Sequence, residues 1–317
     1  VLVTGGAGFI GSNLVEALLA WGNKVTVLDN FSTGKRENLI PFKDNPLFSL
    51  IEGDIRDLAT CRKAVSGIEY VLHEAALGSV PRSIKDPMTT TEVNIGGFVN
   101  MLFAAQEAKV KRFVYAASSS TYGDSKTLPK VEDKIGKPLS PYAITKYVDE
   151  LFAENFSKLY GIETIGLRYF NVFGRRQDPF AYAAVIPKFV ISLMKHESPT
   201  INGDGSYSRD FTYVDNVIQA NMLALKVNNP DAINTVYNVA FGERTTLKEL
   251  FEFLREELSV FDPCIHDIMP IFGPIRAGDI PHSLACIDKA RTLLGYNPQY
   301  SVKDGLKLAS KWYFENL

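Results

Sequence analysis

A glycine-rich stretch near the start of the chain is the feature that most constrains its fold. Gly5, Gly8 and Gly11 have G-x-x-G-x-x-G spacing and lie between an apolar run and an amphipathic run. Glycine is needed where a strand turns tightly into a helix and where the backbone approaches a pyrophosphate closely. Free N–H groups and the positive dipole end at the start of such a helix attract phosphates. The stretch, with Phe9 and Ile10, therefore predicts a dinucleotide-binding turn.

An acidic residue ends the second apolar run, at the position where a dinucleotide-binding pattern requires one. Asp29 can accept hydrogen bonds from the adenosine ribose hydroxyls, and its charge repels a 2′-phosphate, so NAD is favoured over NADP. Asp54 and Ile55 follow the third apolar run and are candidates for contact with adenine. A turn acid and a core isoleucine are an equally open interpretation of that pair. Further candidates at the edge of the adenosine site are Asn30, Phe31, Ser32 and Gly34.

Short apolar runs alternate with longer amphipathic runs from residue 1 to about residue 170. This alternation predicts an α/β fold, a Rossmann-type doubly wound parallel sheet with helices on both faces. The predicted strands are Val1–Thr4, Lys24–Leu28, Phe48–Glu52, Tyr70–His73, Arg112–Ala116 and Thr164–Tyr169. The predicted helices include Ile10–Trp21, Asn94–Lys109 and Tyr142–Tyr160.

The pattern changes after Asn171, where short strands mix with helices and prolines interrupt the last third of the chain. The strand candidates are Thr200–Asn202, Asp210–Val214 and Val236–Val239, and the helix candidates are Tyr182–Lys195, Asn216–Lys226, Leu247–Leu258 and Val302–Glu315. We expect residues 1–171 to form the NAD-binding domain, with residues 211–240 returning to it. Residues 172–210 and 241–317 would form a smaller α/β substrate-binding domain at the carboxyl edge of the sheet, where open parallel sheets bind ligands.

Composition narrows the possible functions. The 317 residues are 46% hydrophobic and 22% charged, as in an ordinary globular protein, and the formal net charge of −2 offers no field to hold nucleic acid. Three widely spaced cysteines predict neither a disulfide framework nor a metal site and favour a reducing compartment, the cytoplasm. No apolar run is long enough to span a membrane, and the first residues look like a strand and not a secretory leader.

A tyrosine and a lysine four residues apart open a predicted helix. The spacing of Tyr142 and Lys146 puts both on one helix face. A free phenol ionises near pH ~10, and an adjacent ammonium stabilises the phenolate, so such a pair can act as a base. Ser118 ends the fifth predicted strand, where its hydroxyl could bond the same substrate oxygen. A core tyrosine beside a solvated lysine is the alternative, and the dinucleotide-binding context makes it the weaker one.

The chain resembles the extended short-chain dehydrogenase/reductases over essentially its full length. The matching stretches are Thr4–Gly11, Asp29, His73–Ala76, Asn94, Ser118, Tyr142 with Lys146, Tyr169–Gly174 and Arg209–Phe211. The resemblance implies NAD as the cofactor and adds Ala75, Ala76, Asn94 and Tyr169 to its binding residues. It also implies a nucleotide-sugar substrate and a catalytic set consisting of Ser118, Tyr142 and Lys146.

The resemblance implies a UDP-sugar whose diphosphate lies near Arg209 and Arg276 and whose ribose lies near Asp279. Two arginines suit a pyrophosphate because the guanidinium fork matches phosphate oxygens. A surface ion pair is the open alternative for each arginine. The other residues that the resemblance places at the UDP site are Asn171, Val185, Lys188, Ile201 and Asn202.

The residues after Ser118 indicate the type of reaction. Family dehydratases carry an Asp-Glu pair directly after the equivalent hydroxyl residue, whereas this chain has Ser119 and Ser120. Serine hydroxyls cannot supply the acid and base of an elimination. Reversible oxidation at C4, which is epimerisation, remains.

The strongest resemblance within the family is to the UDP-N-acetylglucosamine 4-epimerases that prefer N-acetylated sugars. It rests on Ala75–Ser83, Ala117–Gly123, Gly174–Pro179, Arg276–Asp279 and His282-Ser283. A small residue at the position of Ser283 leaves room there for the acetamido group. The residues implied around the sugar are Gly78, Ser79, Ser120, Asn171, Ala184 and Ser283. The chain departs from this group at Asp178–Tyr182, which is one residue shorter than in its bacterial members.

Three alternatives stay open. The sugar could be UDP-glucose, or a UDP-uronate whose carboxylate is held by Arg82 or Arg175, and packing of the loop is the alternative role of both arginines. The chain could also be a non-catalytic NAD-binding protein, since fold does not determine function.

The resemblance further implies a homodimer in which Asn94–Lys109 and Tyr142–Tyr160 of two subunits form a four-helix bundle, and packing within one chain is the alternative.

Overall fold

The computed structural model describes residues 1–179, 185–275 and 280–317. Its strands are Leu2–Thr4 (β1), Val25–Asp29 (β2), Phe48–Glu52 (β3), Tyr70–His73 (β4), Arg112–Ser118 (β5), Glu163–Tyr169 (β6), Val172–Phe173 (β7), Thr200–Asn202 (β8), Ser208–Arg209 (β9), Thr212–Tyr213 (β10), Thr235–Val239 (β11), Thr245–Thr246 (β12) and Ile271–Gly273 (β13). Its helices are Phe9–Ala20 (α1), Leu58–Ala64 (α2), Val80–Lys85 (α3), Pro87–Thr91 (α4), Phe98–Glu107 (α5), Pro141–Tyr160 (α6), Val185–Met194 (α7), Val214–Lys226 (α8), Leu247–Ser259 (α9), Asp288–Leu294 (α10) and Val302–Asn316 (α11).

Seven parallel strands form the central sheet in the order β11-β6-β5-β4-β1-β2-β3. The chain leaves β1 toward β2 and β3 on one side and returns to β4, β5 and β6 on the other. This reversal leaves a crevice above the carboxyl ends of β1 and β4, which is where doubly wound sheets bind ligands. The predicted fold class is confirmed, and all six predicted strands of the first half lie in this sheet.

Helices cover both faces of the sheet, which is why its central strands are apolar throughout. On one face, α1, α8 and α10 pack through residues such as Leu14, Val217 and Leu294. On the other face, α2, α5 and α6 pack through residues such as Cys61, Phe98 and Phe156. Burial of these apolar surfaces supplies most of the stabilisation.

A third core lies outside the central sheet. Helices α7, α9 and α11 enclose it with Ile201 of β8 and Tyr213 of β10. The small strand pairs β7–β10, β8–β13 and β9–β12 surround this core. Strand β11 comes from the second half of the sequence but pairs with β6 in the central sheet. The division of the chain into two domains at the boundaries given above stays a prediction.

Some predicted boundaries were wrong by a few residues. The strand predicted at Asp210–Val214 is shorter, Thr212–Tyr213, and Val214 already begins α8. The carboxylate of Asp210 accepts from the backbone N–H groups of Gly242 and Ala285. The helix predicted from Asn94 begins as a π-helix, Glu92–Gly97, before α5. Of the predicted helix Tyr182–Lys195, the structure describes Val185–Met194. Within the described ranges, no helix has both the length and the apolar composition needed to cross a bilayer.

Helix α6 has strong start and stop signals. The Ser140 hydroxyl accepts a hydrogen bond from the N–H of Ala143, and Pro141 occupies the first turn, where its missing N–H costs nothing. The helix ends at Gly161, which has a left-handed φ of 73°. These signals determine where the helix starts, and therefore that Tyr142 lies in its first turn.

A buried ion pair joins α6 to the sheet. The guanidinium of Arg168 on β6 donates to both carboxylate oxygens of Glu150 on α6, at 2.8 and 2.7 Å. The two side chains are only 3% and 7% exposed. A third donation from Arg168 goes to the backbone oxygen of Glu132, at 2.8 Å. Removing one partner would leave the other charge buried without compensation.

We expect Arg168→Met to lower the free energy of unfolding by about 3–5 kcal/mol, because Glu150 would lose its counter-charge. Chemical denaturation followed by circular dichroism measures this change. The matched control is Arg62→Met, which breaks the equally well-aligned but exposed pair with Glu107 and should change stability very little. Equal effects of the two variants would contradict the structural role given to the buried pair.

Candidate active site

One cavity of about 650 Å³ opens at the carboxyl edge of the central sheet. Its volume is in the range that accommodates a small-molecule ligand. The walls come from the loops after β1, β2, β3 and β4, from the end of β5, from the start of α6 and from the segment after β6. The cavity brings together these residues predicted from the sequence: Gly5, Gly8, Phe9, Ile10, Gly11, Asp29, Asn30, Ser32, Gly34, Asp54, Ile55, Ala75, Ala76, Gly78, Ser79, Ser118, Tyr142, Lys146, Tyr169, Asn171 and Val185.

The glycine loop is closely packed against itself. A Cβ on Gly11 would lie 2.2 Å from the backbone oxygen of Gly5, and Gly5 itself has a φ of +67°. The N–H of Gly8 bonds the same Gly5 oxygen at 3.0 Å. Helix α1 then starts at Phe9 without a side-chain cap. The first N–H groups of α1 therefore point at the cavity and suit a phosphate ligand.

Asp29 ties the end of β2 to the glycine loop. One carboxylate oxygen accepts from the N–H of Ala7 at 2.9 Å and the other from the N–H of Phe31 at 2.8 Å. Burial raises the pKa of this carboxyl, and the two backbone hydrogen bonds oppose that shift. Each oxygen keeps a second lone pair, so the carboxylate can still accept a ribose hydroxyl.

Phe31 does not line the cavity, although the sequence placed it among the cofactor-binding residues. It adopts a left-handed φ of 55°. Its ring lies under the guanidinium of Arg36, 3.9 Å from the ring centroid, in a shallow neighbouring depression. The predicted contact of its side chain with the cofactor therefore has no support from its position.

Asp54 and Ile55 both reach the cavity wall. Hydrogen bonds from Arg56, with a further one from Asn30 at 2.8 Å, lower the pKa of Asp54 to about 2. Ile55 is buried, and a Cβ on Gly97 would lie 2.5 Å from its Cδ1. Ile55 therefore lies both in the core and in the cavity wall. Its position is compatible with both interpretations, a core isoleucine and a contact of adenine.

The proposed catalytic residues lie together on one side of the cavity. Lys146 extends from α6 to the end of β5, where its ammonium donates to the backbone oxygen of Ala116 at 2.9 Å. Tyr142, one turn earlier on α6, is half-buried and lines the cavity. Ser118 ends β5. Its Oγ accepts hydrogen bonds from the N–H and the hydroxyl of Ser120, at 3.2 and 2.9 Å. The Ser118 proton is then free to be donated to a ligand.

Ser120 and Asn94 act behind the wall and not on its surface. Ser120 orients Ser118 through the two hydrogen bonds given above. Among the described residues, Ser120 is not part of the cavity wall. The buried amide of Asn94 accepts from the N–H of Leu77 at 2.7 Å and donates to the hydroxyl of Thr145 at 3.0 Å. Asn94 therefore holds the loop after β4 against α6.

A network around Glu74 was missed by sequence reasoning. The hydroxyl of Tyr169 donates to Glu74 at 2.8 Å, and the amide of Asn221 donates to that hydroxyl at 2.9 Å. Burial raises the pKa of Glu74 to about 7, against the lowering effects of Tyr169 and Lys146. A carboxyl directly after the apolar strand Tyr70–His73 was the signal that could have identified it. The cavity thus contains an acid, although not at the position used by family dehydratases.

The predicted UDP-site residues of the second half are more scattered. The described cavity wall does not include Lys188, Ile201, Asn202, Arg209 or Ser283. Lys188 is exposed on α7, whereas Ile201 is fully buried in the third core, so only its backbone could meet a ligand. Arg209 donates to the backbone oxygens of Ser208 and Pro281, at 3.0 and 3.2 Å. Ala184, Arg276 and Asp279 lie outside the described residues.

Of the two arginines considered for a uronate carboxylate, only one faces the cavity. Arg175 donates to Asp215 at 2.8 Å and lies 3.4 Å from Glu16, so it joins α1 to α8. These ion pairs favour the packing role for Arg175 over the binding of a carboxylate. Arg82 is exposed and lines the cavity.

Comparison with known sequences agrees with this geometry. The model of the NAD dependent epimerase/dehydratase family matches residues 1–240. The chain is similar to the UDP-glucose 4-epimerase of Mycolicibacterium smegmatis, with 36% identity over 307 residues, which cover 96% of this chain and 95% of the relative.

Solved structures share the whole fold. The UDP-N-acetylglucosamine 4-epimerase of Methanobrevibacter ruminantium M1, in complex with UDP-N-acetylmuramic acid, has a TM-score of 0.92 and 38% identity, covering 100% of this chain and 98% of that one. The UDP-glucuronic acid 4-epimerase of Bacillus cereus, in complex with UDP-glucuronic acid and NAD, has a TM-score of 0.87 and 32% identity, covering 99% and 98%. The chain belongs to the NAD-dependent epimerase/dehydratase family, and NAD is its cofactor.

The residues of the cavity fit NAD. The glycine loop is packed so closely that a Cβ at Gly11 would displace the Gly5 carbonyl, the start of α1 offers uncapped N–H groups, and Asp29 offers carboxylate oxygens to a ribose. Tyr142, Lys146 and Tyr169 line the same cavity beyond the loop. We expect them to surround the nicotinamide end.

We expect Gly11→Ala to weaken NAD binding at least about tenfold, because its Cβ would force the Gly5 carbonyl out of the loop. NAD retained per protein chain after gel filtration, with a titration of the NAD-free protein, measures this. Gly96→Ala is the matched control, since nothing lies within 4 Å of the added Cβ. Wild-type NAD retention in Gly11→Ala would show that the loop does not hold the pyrophosphate.

Proposed function

We propose that the protein catalyses the NAD-dependent C4 epimerisation of a UDP-N-acetylhexosamine, interconverting UDP-GlcNAc and UDP-GalNAc. The observation that carries the proposal is the meeting of Ser118, Tyr142 and Lys146 in the cavity that fits NAD. The absence of a carboxylate at positions 119 and 120 favours epimerisation over elimination of water.

Tyr142 as the phenolate takes the proton of the C4 hydroxyl, and the Ser118 hydroxyl bonds the same oxygen. The glycine loop and Asp29 would hold NAD, which would supply a reversible acceptor for the C4 hydride. The ammonium of Lys146 stabilises the phenolate electrostatically, and it is held for this purpose by the Ala116 carbonyl. The 4-keto sugar turns about its diphosphate anchor between the two transfers. The hydride then returns to the opposite face of C4, and Tyr142 returns the proton to the C4 oxygen.

The choice of an N-acetylated sugar rests on small residues and on the relatives. Gly78 and Ser79 line the cavity, and Ser283 is anchored by its N–H to the Ser208 carbonyl at 3.1 Å. Ser283 is not part of the described cavity wall, and it is the resemblance that places the acetamido group beside it, where a serine would leave room. The relative from M. ruminantium is a UDP-N-acetylglucosamine 4-epimerase. The M. smegmatis and B. cereus relatives support the UDP-glucose and UDP-glucuronate alternatives, and Arg82 is the cation available for the latter.

Turnover of UDP-GlcNAc, UDP-glucose and UDP-glucuronate, followed side by side, tests the substrate. We expect kcat/KM to be highest for UDP-GlcNAc, by about tenfold or more, which corresponds to ~1.4 kcal/mol of differential binding. Ser283→Tyr should lower kcat/KM for UDP-GlcNAc selectively, because the ring fills the acetamido space. A preference for either other sugar would replace the proposed substrate without changing the chemistry.

Tyr142→Phe tests the chemistry in the same assay. We expect it to lower kcat by about 10²–10⁴-fold with NAD still bound, since only the proton transfer is removed. Wild-type turnover in this variant would refute the role of Tyr142. Tight NAD binding with no turnover of any UDP-sugar by the wild-type protein would favour the non-catalytic alternative.

We further propose a homodimer formed through α5 and α6. Ile144 and Leu151 lie seven residues apart on one face of α6 and are 49% and 47% exposed. Their exposure on a regular helix supports a partner surface. Light scattering at micromolar concentration should give the mass of two chains, and Ile144→Glu combined with Leu151→Glu should give one. A monomeric wild-type protein would dismiss the dimer.

The cysteines favour a reducing compartment, and we propose that the protein is located in the cytoplasm. Cys61, Cys264 and Cys286 are free thiols, and Cys61 is buried. Proteins in reducing compartments keep their thiols unpaired. A disulfide in the protein isolated without reductant would contradict this expectation.

A further inference from the structure

A buried acid on α6 has no role in the reaction as proposed. Asp149 lies three residues after Lys146, and its Oδ2 is 3.4 Å from the lysine Nζ. The two side chains are 1% and 4% exposed. The other carboxylate oxygen, Oδ1, has no hydrogen-bond partner among the described residues. Burying an incompletely satisfied acid is costly, so its place beside Lys146 invites a functional explanation.

Asp149 and Ala116 together restrict the lysine head group. The ammonium has three N–H donors at the end of four flexible carbons. One N–H points at the Ala116 oxygen at 2.9 Å, and Asp149 lies within ion-pair distance of the same nitrogen. Two contacts on the protein side leave one N–H to face the cavity, which Lys146 lines.

The charge of Asp149 also acts on the lysine. Among the described residues, the ionisable groups near the Lys146–Asp149 pair are Glu150 on the same helix, Tyr115 on β5, His73 at the end of β4 and Glu74 directly after it. Glu150 is neutralised by Arg168. Burial keeps His73 neutral, because it lowers the pKa of that side chain to about 3. Asp149 is therefore the direct counter-charge of Lys146.

We propose that Asp149 is a positioning residue that holds the Lys146 ammonium against the Ala116 carbonyl and offsets part of its charge, so that it sets the pH range of the Tyr142–Lys146 pair. The proposal rests on the function proposed above for Tyr142 and Lys146. It adds to that function a residue that touches neither the sugar nor NAD.

Burial supports a titration of Asp149 near the working range. It raises the pKa of this carboxyl far above that of an exposed aspartate, against the lowering influence of Lys146. The native protein therefore binds a proton at Asp149 at pH values where the unfolded chain has lost it. By linkage, this group stabilises the fold least at high pH, and its unfavourable contribution disappears as the pH falls.

Asp149→Asn separates charge from position, because the amide oxygen can still accept from Lys146. We expect near wild-type kcat at high pH, with the acidic limb of the kcat profile displaced to lower pH by about half to one unit and steeper. The limb moves because the variant lacks a negative charge roughly 10 Å along the helix from Tyr142, and removing that charge favours the phenolate. The limb becomes steeper because the ionisation of Tyr142 is no longer coupled to that of Asp149. Asp149→Ala should lower kcat about tenfold at all pH values with KM unchanged, since the ammonium loses its support.

A readout independent of turnover follows the phenolate directly. The ultraviolet difference between wild type and Tyr142→Phe, titrated with pH, reports the ionisation of Tyr142 in the holoenzyme. The same difference in the Asp149→Asn background should have its midpoint at lower pH. Glu154→Gln is the control, because Glu154 is on α6 but is exposed and paired with Lys158, and it should move neither curve.

The outcomes distinguish the two proposals. Superimposable wild-type and Asp149→Asn profiles, with an inactive Tyr142→Phe, would overturn the role of Asp149 and leave the proposed function intact. An active Tyr142→Phe would overturn the proposed function itself. If Asp149→Asn and the smaller Asp149→Ser both fail to fold, Asp149 is required for folding, and the positioning role is refuted.

Discussion

The buried ion pair between Arg168 and Glu150 is the interaction on which the geometry of the site depends most directly. It attaches α6, which carries Tyr142 and Lys146, to β6, which ends at Tyr169. A rigid attachment matters because a catalytic group misplaced by a fraction of an ångström loses much of its effect. A hydrophobic contact could supply comparable stability, but it would not determine the axial position of the helix as two parallel N–H···O bonds do.

Beside Tyr142, the charge of Lys146 is balanced by acids whose ionisation is opposed by burial. Lys146 faces Asp149 on its own helix and is close enough to Glu74 to affect its titration. In a low-dielectric setting each of these charges is felt strongly by the others, so their titrations are coupled. Such coupling is expected where a tyrosine must act as a base near neutral pH, since small changes in neighbouring charge alter the availability of its phenolate.

The parts of the fold that could be predicted from the sequence are those determined by local periodicity. The strands Phe48–Glu52 and Tyr70–His73 have the predicted bounds. Tyr70–His73 is a buried central strand with the apolar run expected of one, whereas Phe48–Glu52 is a partly exposed edge strand rich in apolar residues. The glycine loop and Asp29 were placed correctly in one cavity because a tight turn and its acid are separated by a standard strand–helix–strand length. Glu74 and Asp149 were missed. The position of Glu74 directly after an apolar strand was a usable signal, whereas nothing in the sequence shows that Asp149 is buried beside Lys146.

The sugar end of the site resisted prediction for a different physical reason. Its candidates come from separate segments of the second half, and contacts such as that between the Ser283 N–H and the Ser208 carbonyl join residues far apart in sequence. Arg175 illustrates the consequence. Its charge suggested that it binds a ligand carboxylate. Instead it forms ion pairs with Asp215 and with Glu16, which lies more than 150 positions earlier in the sequence. The sheet edge can keep the same redox chemistry while such contacts change. Relatives of similar identity have names that specify different sugars, as expected where contacts of the second half select the sugar and the sheet edge supplies the redox chemistry.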